Sequence, residues 1–295
     1  MGYAECAVWA NQINEVAQGK TIVNVISNQN PHKFGFMALD HTVGYNPEKG
    51  WEHAKQYSHF LLGKTIAGAT VKNAKKNITL TYIYIGNRVL MVGGYVGIPS
   101  YCAAGELRPK KHQLLLELDD GSALAFVITF GGLIYLFEVD ENGDALNYTN
   151  AFPLLLSNEF SFEFFADLVN EQAGNKSIKD FLVTKYRIPG FGNESLHEVL
   201  WEAKIHPKSK MNALTQDEII GLFNAIKTVF TAIIEQGGKD TDKDIFGNYG
   251  GYVTRASKHT LGKPCARCGG TIAKENNYIG SPIFYCPQCQ IIKPS

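Results

Sequence analysis

Four of the six cysteines stand in two CxxC pairs, Cys265 with Cys268 and Cys286 with Cys289, separated by seventeen residues. Thiolates at this spacing suit a tetrahedral four-sulfur zinc site on a β-hairpin. Each pair grips from a tight turn, and the intervening stretch brings the two turns together. Because all four ligands come from the protein, no position stays open for water, and the expected Zn2+ is structural and not catalytic. Such a module can cap a fold or present side chains to nucleic acid, and the cysteines alone leave both open. Six cysteines in 295 residues are too sparse for a disulfide scaffold, so Cys6 and Cys102 are read as ordinary thiols.

A second stretch, RIPGFGNESLHEVLWEAKIHP at residues 187–207, offers a different chemistry. Gly190 and Gly192 form a turn that ends in Asn193, which can cap the helix that follows. The free backbone N–H groups of a helix start are a natural phosphate site. A plain helix cap is the alternative for Asn193, and His206 reads as a turn residue before a ligand or base. Lys and Arg against Asp and Glu number 12 to 17 over residues 1–175 and 16 to 11 over residues 176–295. The C-terminal part thus carries +5 and the N-terminal part −5, as a polyanion-binding half joined to a less basic one would.

The elements that must hold these residues are of two kinds. Cys6, Trp9, Ile13 and Val16 fall at helical spacing with Gly19 as a stop, so a short amphipathic helix leads the chain. The tetrapeptide GKTI then opens strands at Gly19 and again at Gly63, two similar strand openings and not a repeat. NITLTYIYIGNRVLMV and HQLLLELDDGSALAFVITFGGLIYLFEV read as strand pairs, with Asp120-Gly121 as a hairpin turn. Beyond residue 153 the alternation stops. SFEFFADLVNEQ, SIKDFLVTKY, ESLHEVLWEAK and LTQDEIIGLFNAIKTVFTAIIEQ read as helices, the last with Thr215 and Glu218 as a capping box and Gly237-Gly238 as its stop. The fold class is α+β: a leading helix and β-sandwich over residues 1–152, a helical domain over 153–252 and a zinc-finger hairpin over 253–295. The N-terminus carries no basic and then apolar leader, and no run of about 18 apolar residues occurs, so a cytoplasmic protein that enters no membrane is expected.

The Gly-rich turn, IHP at the far end of its helix, the next helix and the terminal cysteines together resemble the helix-two-turn-helix and zinc finger of the formamidopyrimidine-DNA glycosylase and endonuclease VIII family. The resemblance extends to KKHQLLLELDDGSALAFVITFGG in the sandwich, to GGKDTDKDIFGNYGGYVT before the cysteines and to YCPQCQ at the end. AVWANQIN is similar to a bacterial branch whose members begin with a stretch like IELPEA. The family implies a monomeric two-domain clamp on double-stranded DNA that excises oxidised bases and cleaves the abasic strand. By the same resemblance Asn193 and Lys179, with Gly190 and Gly192, hold phosphates flanking a nucleotide turned out of the stack.

The family's chemistry needs an N-terminal amine to attack sugar C1′ and a nearby carboxylate to move protons. An α-amine suits this, with a pKa of roughly 7.7 to 8.0 against about 10.4 for lysine, lowered further at a helix start. Here the first residue after Met1 is Gly2, Tyr3 follows it, and an ungapped alignment puts Glu5 and Cys6 where the family has Pro and Glu. Gly2 remains a primary amine once Met1 is removed, and Glu5 serves as a displaced carboxylate if the alignment carries a one-residue gap. Ser281 stands where many relatives carry an Arg, and Thr129 precedes Phe130 where many carry another. Lys75 or Lys76 matches a family lysine, with a solvated strand end as the alternative. Three functions stay open: a glycosylase and abasic-site lyase, a silent paralogue that binds damaged DNA, and a zinc-ribbon RNA binder. The first two require duplex binding that weakens with salt, and only the first forms a covalent intermediate.

Overall fold

A computed structural model describes residues 2–27, 36–39, 56–94, 97–128, 132–145 and 148–293. They divide into two compact units. One holds residues 5–151 and 243–248, the other residues 2–4, 152–242 and 249–295.

Helix α1 runs Tyr3–Ala17, with Cys6, Trp9, Ile13 and Ala17 on its buried stripe. Strands β1 (Ile22–Ser27), β2 (Phe36–Leu39), β3 (Ile66–Ala74), β4 (Ile78–Ile85), β5 (Arg88–Gly94), β6 (Gly97–Cys102), β7 (Leu114–Leu118), β8 (Ala123–Ile128) and β9 (Gly132–Glu138) follow, with the short helix α2 (Tyr57–Leu61) before β3. They form a four-stranded sheet in the order β1-β7-β8-β6 and a five-stranded sheet in the order β2-β9-β5-β4-β3. Alternate residues do the packing, since a strand's side chains point to opposite faces with period two. Ile83, Ile85, Leu90, Val92, Ile134 and Leu136 of one sheet share a buried cluster with Leu114, Leu116, Leu118, Leu124 and Phe126 of the other and with Trp9 and Ile13 of α1. On its opposite face the five-stranded sheet buries Leu80, Tyr82, Val89, Met91, Leu133 and Phe137, which is why β4 and β5 read as continuous apolar runs.

Three sequence expectations are refined here. The stretch read as consecutive strand pairs splits between the sheets: β7 and β8 form the hairpin around Asp120-Gly121, whereas β9 pairs with β5 and β2. The two GKTI segments pair with one another, Thr21 opposite Thr65 in antiparallel register, and both isoleucines are fully buried. Lys75 and Lys76 sit exposed in the turn between β3 and β4, the solvated strand end. Thr129 and Phe130 lie outside the described residues, as does Met1.

The second unit is helical. Helix α3 (Phe162–Gln172) is capped by the Ser161 hydroxyl, α4 (Ile178–Val183) by that of Ser177, and α6 (Gln216–Glu235) by the reciprocal Thr215 and Glu218 box. Helix α5 (Asn193–Glu202) lies between α4 and α6 in the chain, and strands β10 (Ala273–Tyr278) and β11 (Ser281–Tyr285) form a terminal hairpin. SIKDFLVTKY is not one helix to its end. Thr184 leaves helical geometry with ψ 151°, and its hydroxyl turns back onto the Asp180 carbonyl and carboxylate. The Arg187 guanidinium donates to the freed carbonyls of Asp180 and Phe181 at 2.8 and 2.9 Å, a cationic C-terminal cap. Gly250 is required by crowding: a Cβ there would lie 2.0 Å from the Gly238 carbonyl carbon. Among the described residues no helix is long and apolar enough to cross a membrane.

Candidate metal centre and nucleic-acid interface

The four cysteine sulfurs lie within 4.8 Å of one another. Cys265 and Cys289 are 3.9 Å apart, Cys268 and Cys286 3.5 Å apart. Metal–sulfur bonds of about 2.3 Å in a tetrahedron require sulfurs about 3.8 Å apart, so the donor set fits zinc in both type and spacing. Each knuckle closes through its own backbone: Cys265 N donates to Gly270 O, and Gln290 N to Cys286 O at 2.9 Å. Burial pushes the Cys265 thiol up, but N–H donors from Arg267, Trp201 and Cys268 outweigh it and bring it to about 6.

Both knuckles are tied to the C-terminal end of α5. The Trp201 indole N–H donates to Cys265 Sγ at 3.3 Å. Arg267, between the first two cysteines, stacks 3.9 Å from the Trp201 ring centre and donates to the Trp201 carbonyl at 2.6 Å. From the other knuckle, buried Gln290 accepts from Cys286 N and donates to Ile205 O at 2.9 Å. These ties escaped sequence reasoning; the second glutamine of YCPQCQ was their visible trace.

The N-terminal end of α5 is where the Gly-rich turn was expected to act. Gly190 takes φ 75°, a left-handed conformation that a side chain would strain. Asn193 does not cap the helix. Gly192 occupies the cap position in extended geometry without a side-chain bond, and nothing lies within 4 Å of where its Cβ would be. Asn193 is instead the first helical residue, exposed, its Oδ1 accepting from the Ser281 hydroxyl at 3.1 Å. Ser281 in turn receives Lys179. That lysine is fully buried, its ammonium donating to Ser281 Oγ at 2.7 Å, Ser281 O at 2.9 Å and Tyr278 O at 2.5 Å. Burial brings its pKa down to about 8. The structure therefore unites Lys179, Asn193 and the hairpin turn in one chain of hydrogen bonds.

The amino end of the chain meets the same turn. Tyr3 N donates to Gly190 O at 2.8 Å, and the Tyr3 and Phe191 rings both pack edge-on against Phe230 of α6. Gly2 is buried and Glu5 half-buried in the first turn of α1. Burial pushes the Tyr3 phenol up, against a backbone N–H from Leu156. Cys6 is buried with its thiol donating to Thr79 O, and burial, then the Glu5 charge, pushes it to about 12. His206 is the turn residue expected, its Nδ1 accepting from Lys208 N at 3.0 Å and burial bringing it down to about 4.

Residues 153–244 match the family model described as "Formamidopyrimidine-DNA glycosylase H2TH domain". A formamidopyrimidine-DNA glycosylase of Herpetosiphon aurantiacus is 30% identical over 255 residues, covering 82% of this chain and 89% of that protein. The chain belongs to the formamidopyrimidine-DNA glycosylase family. Other relatives of that name align over less of their length: that of Lactobacillus johnsonii is 29% identical over 59% of this chain and 63% of its own. The fold is that of the family's solved structures. The Lactococcus lactis enzyme in complex with abasic-site DNA superposes with a TM-score of 0.75 at 23% identity, over 98% of this chain and 99% of that one. The α+β architecture with its cysteine hairpin is thus the formamidopyrimidine-DNA glycosylase fold.

Proposed function

We propose that the protein is a base-excision repair enzyme that binds double-stranded DNA at oxidised bases and abasic sites and acts there as a glycosylase and abasic-site lyase. The observation that carries this is the hydrogen bond from Tyr3 N to Gly190 O at 2.8 Å. It sets Gly2, one residue earlier, beside the turn that starts α5, so the nucleophile and the phosphate-holding turn belong to one site. Gly192 leaves the helix start uncovered, and the N–H groups of Asn193, Glu194 and Ser195 are donors suited to a phosphate. Lys179 acts through the hairpin, fixing Ser281 against Asn193 with its charge beneath the same surface. The four cysteines hold a structural Zn2+, which cross-links the hairpin and takes no part in the chemistry.

In the reaction the Gly2 amine, freed by removal of Met1, attacks C1′. The nitrogen–carbon bond forms as the glycosidic bond breaks, the base leaves with a proton, and ring opening yields an imine that permits strand elimination. Glu5 is the carboxylate for these proton transfers.

A second reading, a silent paralogue that binds damaged DNA without excision, is favoured by one specific observation. The family's carboxylate positions here hold Tyr3 and Cys6, both buried and both with raised pKa values. One experiment separates the two. The Met1-processed protein is incubated with a duplex carrying an abasic site, and borohydride is added to reduce any imine to a stable amine. The enzyme reading requires a covalent complex that is lost when one extra residue precedes Gly2 and that forms slower by about 100-fold or more in Glu5→Gln, the range of general acid–base contributions. Duplex binding without a trapped complex establishes the silent reading.

A further inference from the structure

The function just proposed uses the metal only as a cross-link, but its surroundings are built to one helix. Thiolate ligands are oriented by outer donors, and the first here is an indole. Trp201 is buried at the C-terminal end of α5, its Nε1–H 3.3 Å from Cys265 Sγ. The ring is held on its other side by Arg267, whose guanidinium stacks at 3.9 Å and bonds back to the carbonyls of Trp201 and Glu202. Arg267 is itself fixed in the chain between Cys265 and Cys268. The indole is therefore enclosed between a ligand sulfur and the residue that shapes the ligand turn. Trp201, Cys265 and Cys286 share one small buried cluster with Ala256, Ile272 and Phe284.

We propose that Trp201 is a positioning residue of the metal centre: its N–H bond to Cys265 orients that thiolate and couples metal occupancy to the helix whose other end carries Asn193. This rests on the assignment of a metal to the cysteine cluster. An N–H donor aimed at a thiolate withdraws electron density from sulfur and fixes the sulfur's direction. Removing such an outer partner lowers metal affinity by on the order of 10- to 100-fold in comparable sites. Phenylalanine at this position keeps an aromatic face for Arg267 and loses the donor.

The test uses the full-length protein stripped of metal and titrated with Co2+, whose thiolate charge-transfer band in the near ultraviolet reports directly on the sulfur ligands. In Trp201→Phe the band moves to longer wavelength, because the more electron-rich Cys265 sulfur is easier to oxidise. Co2+ affinity measured by competition with a chelator falls about tenfold. To separate the lost donor from altered packing, Trp201 is also replaced by β-(3-benzothienyl)alanine, which keeps the bicyclic shape and exchanges N–H for sulfur; the same red shift is expected. An unchanged band and affinity in both variants would overturn the role of Trp201. A wild-type protein that gives no thiolate band with Co2+ would overturn the metal centre itself, a different result from the first.

Discussion

His197 shows what burial does to one residue of α5. It lies in α5 with its ring edge-on to Phe284 at 5.4 Å. Burial first, then the charges of Lys179 and Lys239, bring its imidazole down to about 3, against a backbone bond with Pro282 that raises it. In the unfolded chain the same group titrates near 6.5. Below that pH the unfolded state binds a proton that the folded state refuses, so stability is lost as pH falls from about 6.5 toward 3. The shift of His206 has the same sign. With saturating Zn2+, urea unfolding should show the wild type losing about 1 kcal/mol more than His197→Gln between pH 7.5 and 5.5. Equal losses in the two proteins would mean that His197 is not the neutral buried group described. Sequence could not reveal this residue, because HEVLW shows a helix stripe and not what covers it. The same limit explains Asn193 and Lys179. Asparagine before a helix pattern signals a cap, but Gly192 took that position, and the Asn193 partner, Ser281, comes 88 residues later. The acceptors of Lys179, on Tyr278 and Ser281, are 99 and 102 residues away, so a lysine expected to face phosphate spends its ammonium on the turn between β10 and β11. The cysteines were legible because their signal is a spacing, and spacing is local.

At the scale of elements, the edge strand β3 poses a problem that α1 solves. An edge strand leaves N–H and C=O groups open to another chain. Asn14 closes them as a neighbouring strand would, its amide accepting from Ala69 N at 2.6 Å and donating to Ala69 O at 2.8 Å. Gln18 adds a bond to Ala67 O at 3.0 Å, one helical turn further on. Asn14 of the QIN, together with Gln18, therefore attaches the leading helix to a sheet edge. Asn14→Ala removes both bonds and uncovers a partly buried amide, a loss of about 1 to 2 kcal/mol, read as a lower urea midpoint with an unchanged slope. A midpoint equal to that of the wild type would show that water replaces Asn14 at no net loss. The helix itself was visible in the period of Cys6, Trp9 and Ile13, and the β7–β8 hairpin in Asp-Gly. What the period could not carry was pairing at a distance. GKTI looked like two similar strand openings because nothing local says that two such segments lie side by side, yet Gly19 N donates to Ile66 O and Ile66 N to Lys20 O. The assignment of β8 and β9 to different sheets was hidden for the same reason.

The whole molecule divides its means of staying folded between two units. The sandwich unit has a continuous apolar cluster, with Trp9 and Ile13 among its buried members and no member of the cysteine set. The hairpin of the second unit has little of this kind. Exposed and half-buried residues alternate along β10. The buried cluster around the cysteines is confined to a few side chains, two of which are Cys265 and Cys286 themselves. A two-stranded hairpin with so small an apolar face is marginal alone, and metal binding must supply the difference. Chelation should therefore act on the second unit before the first. Hydrogen exchange followed by mass spectrometry, with and without a strong zinc chelator, should show the amides of Ala273–Tyr285 and of Cys265 and Gly269 losing protection while the β4–β5 ladder keeps it. Duplex binding should be lost under the same conditions, since Ser281 would no longer be held against Asn193. Protection that persists in the hairpin would mean that Lys179, Arg267 and Gln290 hold it without metal. Loss across both sheets would mean that the sandwich does not stand on its own core. The expected pattern, a stable sandwich and a metal-dependent hairpin, would place the proposed DNA binding under the control of zinc.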